Sequence, residues 1–156
     1  MGFEDIYKMY WQKVFRLCMG YINDFALAED MTQETFLIVL QQLPKFRNES
    51  NIGTWIFKIA SNNCLRQIEK HNRARKAVLP IHLKEENTKS LEPQIQFLYK
   101  YIAELPEIER IIISLELEDI KQAEIAKIVG ISEANVRVKI HRIKDKLTQK
   151  FKENGQ

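Results

Sequence analysis

Residues 124–136 read Glu124-Ile125-Ala126-Lys127-Ile128-Val129-Gly130-Ile131-Ser132-Glu133-Ala134-Asn135-Val136, and this stretch decides the fold of the second half of the chain. Ala126 is small where two helices would cross closely. Gly130 permits the positive φ that a sharp helix exit needs. Ser132 can cap the next helix through its hydroxyl, and Glu133 in that helix's first turn suits the positive end of the dipole. Ile125, Ile131, Val136 and Ile140 are spaced to form a small core. The pattern predicts two helices, Gln122 to Val129 and Glu133 to Phe151, joined by a tight turn: a helix-turn-helix.

Outward from the turn, the second helix exposes Arg137, Lys139, His141 and Arg142. Such side chains in a major groove can read base edges, with Arg or Lys on guanine O6/N7. Seven Lys/Arg and one acid lie between Arg137 and Lys152, whereas six acids and one Arg lie between Glu104 and Asp119. A lone charge run is usually a solvated face; joined to this turn it points to DNA, with the basic end toward the phosphates. Upstream, Ile95, Leu98, Ile102 and Leu105 mark a helix broken at Pro106, and Ile108, Ile111, Ile112 and Leu115 mark the next.

The first half is also helical. Phe3, Tyr7, Tyr10, Val14, Leu17 and Tyr21 recur every three or four residues, and Asn23-Asp24 ends that helix and caps its successor. The second helix, Phe25 to Leu43, stops at Pro44. It carries Asp30, Gln33, Glu34 and Leu37 on one side, with Met31, Thr35, Ile38 and Val39 able to reach a core. Phe46-Arg47-Asn48-Glu49-Ser50-Asn51-Ile52-Gly53 reads as a loop, and Thr54 opens a third helix. Ile52, Trp55, Ile56, Ile59 and Ala60 supply its buried face, which makes Trp55 a core residue rather than a wedge. Lys58, Asn62 and Arg66 repeat every four residues opposite. From Arg66 to Lys84 there are six Lys/Arg against one acid, Glu69.

Pro80, Pro93 and the polar run Glu85 to Ser90 break the periodicity and mark a linker. The expected architecture is all-α: two small helical domains, residues 1–72 and 94–156, joined by a flexible linker at 73–93. The 156 residues, 45% of them apolar with five Gly and four Pro, suit two such domains. Cys18 and Cys64 show no metal or redox spacing and fit reduced thiols. Phe3-Glu4-Asp5 is not a signal-peptide opening, and no apolar run could span a membrane, so no membrane insertion is expected. A metal-dependent hydrolase would need Glu29, Asp30 and Glu34, or Glu116, Glu118 and Asp119, as ligands. No nucleophile–base pair or Gly-rich phosphate loop accompanies them, so neither an enzyme nor a cofactor is expected.

Three segments in order carry a resemblance. Ala28-Glu29-Asp30-Met31-Thr32-Gln33-Glu34-Thr35-Phe36 resembles the core-binding segment of the extracytoplasmic-function sigma factors of bacterial RNA polymerase. Thr54 to Asn63 resembles their promoter-melting helix, and Leu105-Pro106 through Arg142 their carboxy-terminal domain. The resemblance implies a region 2 helical bundle at 1–72 and a region 4 helix-turn-helix at 94–156. It implies that Asp30, Gln33, Glu34 and Leu37 meet the coiled coil of the polymerase's largest subunit. Asn48, Ser50, Asn51 and Ile52 would lie in the loop that takes an extruded base of the minus-ten element. Asn62 would contact that element, with Lys58 and Arg66 holding phosphates. Ser132, Arg137, Val138, Lys139, His141 and Arg142 would read the minus-thirty-five element. Implied partners are core RNA polymerase (coiled coil and flap), promoter DNA and an anti-sigma factor, in the cytoplasm. Glu118 to Gln122 departs from the family's usual Gly-Leu-Ser opening of the helix-turn-helix. The alternative is a two-domain DNA-binding regulator that never touches polymerase.

Overall fold

Asn23 and Asp24 separate the first two helices by a pair of local bonds. Helix α1 (Phe3–Ile22) ends where Asn23 turns left-handed, φ 49°, and donates its N–H to the Met19 carbonyl at 2.9 Å. The Asp24 carboxylate then accepts from the Leu27 N–H at 2.9 Å and caps α2 (Phe25–Gln42). Pro44 tightens the exit into a 3-10 turn, Leu43–Lys45. The structure, a computed structural model, describes residues 2–49, 51–67 and 92–154 in full and the backbone of 68–77. Ser50 and most of the expected linker, 78–91, lie outside the described residues.

Helix α3 (Ile52–Ala77) begins two residues before Thr54, the expected start, and continues past residue 72. Asn51 explains the early start: its side-chain oxygen accepts from the Gly53 N–H at 2.7 Å and its carbonyl from the Trp55 N–H at 3.0 Å. At Gly53 the backbone runs close to α1: a Cβ there would lie 3.2 Å from the Tyr10 ring, a tight contact. The second half holds α4 (Pro93–Ala103), α5 (Glu107–Leu117), α6 (Gln122–Val129) and α7 (Glu133–Glu153). The turn before α7 is built as its sequence implies. Gly130 has φ 78° and donates to the Ala126 carbonyl at 2.8 Å, and Ser132 Oγ accepts from the Asn135 N–H at 3.1 Å.

Burial differs from the expected stripes in two places. On α1, Tyr7 is exposed, whereas Val14 and then every residue from Leu17 to Tyr21 are buried. A single stripe cannot produce that; α1 is covered on one side by α2 and α3 and on the other by α4 and α5. On α3 the innermost side chains are Ile56, Phe57, Ala60 and Cys64, while Ile52, Trp55 and Ile59 pack at the core's edge. Phe57 was hidden in the sequence because it falls off the stripe defined by Ile52, Trp55 and Ile59.

The two halves share one continuous apolar core that runs from Leu17 and Phe57 to Ile111, Ile112, Ile125 and Val136. Polar contacts cross the same seam. Arg16 Nε and Nη2 each lie 2.6 Å from the Glu118 carboxylate. Thr54 Oγ1 donates to Glu124 Oε2 at 2.7 Å, which with nearby Lys127 holds that carboxyl below its usual range. Arg110 donates to the carbonyls of Tyr21 and Leu105, both at 2.8 Å, and lies over the Tyr21 ring. At Gly20 the helices approach so closely that a Cβ would lie 2.1 Å from Ser114 Oγ. Part of the acidic run from Glu104 to Asp119 is therefore internal wiring: Glu118 pairs with Arg16 and Glu116 with Lys144 at 2.7 Å.

Candidate polymerase and promoter interfaces

The face of α7 turned away from the core is set by Val136, Ile140 and Ile143, which are buried. Their spacing forces Arg137, Val138, His141 and Arg142 outward, with Lys139 half-buried beside them. Val138, 46% exposed, is apolar on an otherwise charged face, as contact with a thymine methyl would require. His141 Nε2 is 3.5 Å from Asp145 Oδ2, a pair so exposed that it is worth at most about 1 kcal/mol. Ser132 is exposed but its hydroxyl is engaged as the helix cap.

On α3, Lys58, Asn62 and Arg66 are all exposed, one turn apart. They form one polar edge that follows directly from the loop before Ile52. Within the loop Asn48 sits at φ 58°, a left-handed conformation that Asn tolerates better than most residues. Phe46 packs on Trp55, ring centroids 4.7 Å apart, and this pair anchors the loop to the start of α3. Ile52 is half-buried. Asn51 is exposed, with its side-chain oxygen occupied by the cap.

On α2, Asp30, Gln33 and Leu37 are exposed, Leu37 by 58%. Glu34 is half-buried and its carboxylate accepts from the Gln67 amide of α3. Behind this stripe Thr32 and Thr35 are buried and return their hydroxyls to the carbonyls of Ala28 and Met31, both at 2.7 Å. The four stripe residues thus share one accessible face, with Leu40, 48% exposed, extending its apolar end. Among the described residues, no group of three or more His, Cys, Asp or Glu side chains is placed to hold a metal.

Cys18 and Cys64 face each other across α1 and α3, Sγ atoms 3.7 Å apart and both fully buried. Their mutual hydrogen bond and their burial push the Cys64 thiol well above its ordinary value. The folded chain should therefore be inert to an aromatic disulfide reagent at neutral pH and release two equivalents of thiol only on unfolding. Rapid reaction of either thiol in the native protein would contradict the packing described.

Two family descriptions match the chain: Sigma-70 region 2 over residues 6–74 and Sigma-70, region 4 over residues 97–147. The ECF RNA polymerase sigma factor SigM of Bacillus subtilis is 28% identical over 153 residues, covering 94% of this chain and 93% of SigM. This chain belongs to the extracytoplasmic-function sigma factors. SigW of Bacillus subtilis is 26% identical, covering 97% of this sigma factor and 90% of SigW. Among solved structures, the sigma factor RpoE of Bartonella quintana, in complex with the anti-sigma factor NepR, has the same fold. Its TM-score is 0.80 at 19% identity, over 96% of both chains. CnrH, solved with the cytosolic domain of CnrY, gives 0.67 at 17% identity, over 94% of this sigma factor and 85% of CnrH. Among the described residues of the sigma factor, no helix is long and apolar enough to cross a membrane.

The sequence had not exposed Gln67, Asn63, Thr54 or the Arg16–Glu118 pair. Asn63 carried a usable signal, an amide on the buried face of a helix. The others act across helices and leave no periodic trace.

Proposed function

We propose that this sigma factor binds core RNA polymerase through Asp30, Gln33, Glu34 and Leu37 and reads promoter DNA with two separate faces. The minus-ten face comprises Asn48, Ser50, Asn51, Ile52, Lys58, Asn62 and Arg66. The minus-thirty-five face comprises Ser132, Arg137, Val138, Lys139, His141 and Arg142. Residues 1–72 and 94–156 are the two working units and 73–93 their connection. The protein works in the cytoplasm, without a cofactor and without catalysis of its own, by lending polymerase its promoter specificity. An anti-sigma factor is its further partner, as NepR is for RpoE.

One observation carries this reading. An acidic, amide-bearing stripe on α2 is exposed in the same chain as two cation- and amide-bearing faces, on α3 and α7. The stripe suits Arg or Lys on a partner helix, whereas the other two suit phosphates and base edges. Asn51 fits as a support, since its capping bond fixes where the loop ends and the helix begins.

The test is size-exclusion chromatography of the chain with core polymerase, beside an Asp30→Lys/Glu34→Lys variant. Truncating one partner of a buried, hydrogen-bonded interfacial charge pair costs about 2–5 kcal/mol. Reversing two charges should therefore raise Kd by about 100-fold or more, at about 1.4 kcal/mol per factor of ten. The wild type co-elutes at micromolar concentration and the variant does not. Failure of the wild type to co-elute would overturn the proposal and leave a DNA-binding regulator.

A further inference from the structure

A set of polar contacts ties α3 to α2 directly beneath the polymerase-facing stripe. Asn63 and Gln67 stand one turn apart on α3 and point at α2, while Asn62 and Arg66 occupy the exposed side of the same two turns. Asn63 is 1% exposed, and its amide donates to the Met31 carbonyl at 3.1 Å and to Thr35 Oγ1 at 3.2 Å. A buried amide held at two points fixes the register of the two helices. One turn on, Gln67 Nε2 donates to Glu34 Oε2.

We infer that Gln67 is a positioning residue for Glu34, holding that carboxylate in the orientation from which it meets a cationic side chain of the polymerase. The inference rests on the reading of Glu34 as a polymerase contact. Three physical points support it. A free Glu side chain has several rotamers, and freezing one such side chain at an interface costs about 0.5–1.5 kcal/mol; Gln67 removes part of that cost before the partner arrives. An amide donates without carrying charge, so it is no counter-ion for Glu34, whereas Lys or Arg at 67 would compete with the incoming cation. A carboxylate also has roughly four acceptor sites, so one amide bond leaves acceptor capacity for an incoming guanidinium. The same helix that carries the minus-ten face therefore sets the geometry of the polymerase face.

The experiment is a fluorescence-anisotropy titration of the labelled chain with core polymerase. The variants are Gln67→Leu, Gln67→Lys, Glu34→Ala and Gln67→Leu/Glu34→Ala, each with its thermal midpoint. Gln67→Leu should weaken binding roughly three- to tenfold, the factor equivalent to one unfrozen side chain. Gln67→Lys should weaken it further, because the new ammonium competes for Glu34 while keeping the α2–α3 contact. In the Glu34→Ala background, Gln67→Leu should have no further effect, a non-additivity that a merely structural role does not produce. If Gln67→Leu weakens binding equally in both backgrounds, it acts elsewhere and the positioning role is overturned. It is overturned too if Glu34→Ala weakens binding while Gln67→Leu or Gln67→Lys binds as the wild type does. If Glu34→Ala itself binds like the wild type, the polymerase reading of Glu34 fails first and takes this role with it.

Discussion

Arg16→Glu shifts the chain toward a form in which its two halves have come apart, and adding Glu118→Arg shifts it back. The wild-type pair is bidentate, both contacts 2.6 Å, with the Glu118 side chain 8% exposed and Arg16 45% exposed. Exposed pairs contribute about 0–1 kcal/mol, whereas breaking a buried one costs about 3–5 kcal/mol. This half-screened pair falls between, and Arg16→Glu adds a like-charge contact at the same spot. About 3 kcal/mol of closure is lost, more than a factor of 100 in the closed-to-open ratio. Small-angle scattering across a urea titration reads the effect. The wild type starts near about 15 Å in radius of gyration, the value for a compact chain of this length. Arg16→Glu should expand at a urea concentration lower by about 1 M or more, and the charge swap should recover most of that difference. Equal midpoints for the wild type and Arg16→Glu would mean that the pair does not hold the seam. Gly20→Ala should loosen the same seam. Its gain in helix propensity is about 0.5–1 kcal/mol, less than the roughly 1–3 kcal/mol of forcing a methyl against Ser114.

Phe57→Ala should cost the fold about 3–5 kcal/mol, the range for removing a buried aromatic ring. Phe57 is 1% exposed and meets Tyr10 edge-on, ring centroids 6.2 Å apart, so the cavity opens between α1 and α3. Chemical denaturation should show the midpoint falling by about 2 M in urea for a slope of about 2 kcal/mol/M. Trp55→Ala is the instructive contrast. Trp55 is only half-buried at the core's edge, yet it carries Phe46 on its ring. It should lose markedly less stability, while the loop from Phe46 to Asn51 loses its anchor and minus-ten DNA binding falls. A Phe57→Ala midpoint within about 0.5 M of the wild type would contradict the packing described.

The helix-turn-helix was legible because its determinants are local. Gly130, Ser132 and Ala126 each act within one helical turn of where they stand, so their identities alone imply the geometry. The stripe on α2 and the edge on α3 were legible for a related reason, since helical period fixes which residues share a face. What periodicity cannot show is what lies across from that face. Gln67 looks like one more polar residue until Glu34 is opposite it. The run from Leu17 to Tyr21 is buried all round only because a second layer of helices covers it. Gly20 reads in the sequence as a weak helix former, yet a Cβ there would collide with Ser114 across the seam. The sequence division into two domains and a linker carried no sign that their apolar surfaces join.

That joining has a consequence for binding arithmetic. A compact chain of this length is about 40 Å across. Two promoter elements about two helical turns apart are separated by about 70 Å. The shut molecule is therefore too short to touch both at once, and only the opened fraction can bridge the two elements. Each 1.4 kcal/mol stored in the seam divides that fraction by about ten and multiplies every apparent dissociation constant for the extended form by the same factor. Arg16, Gly20 and Glu118 touch neither polymerase nor DNA in this account. They nevertheless set the effective concentration of the form that spans both promoter elements.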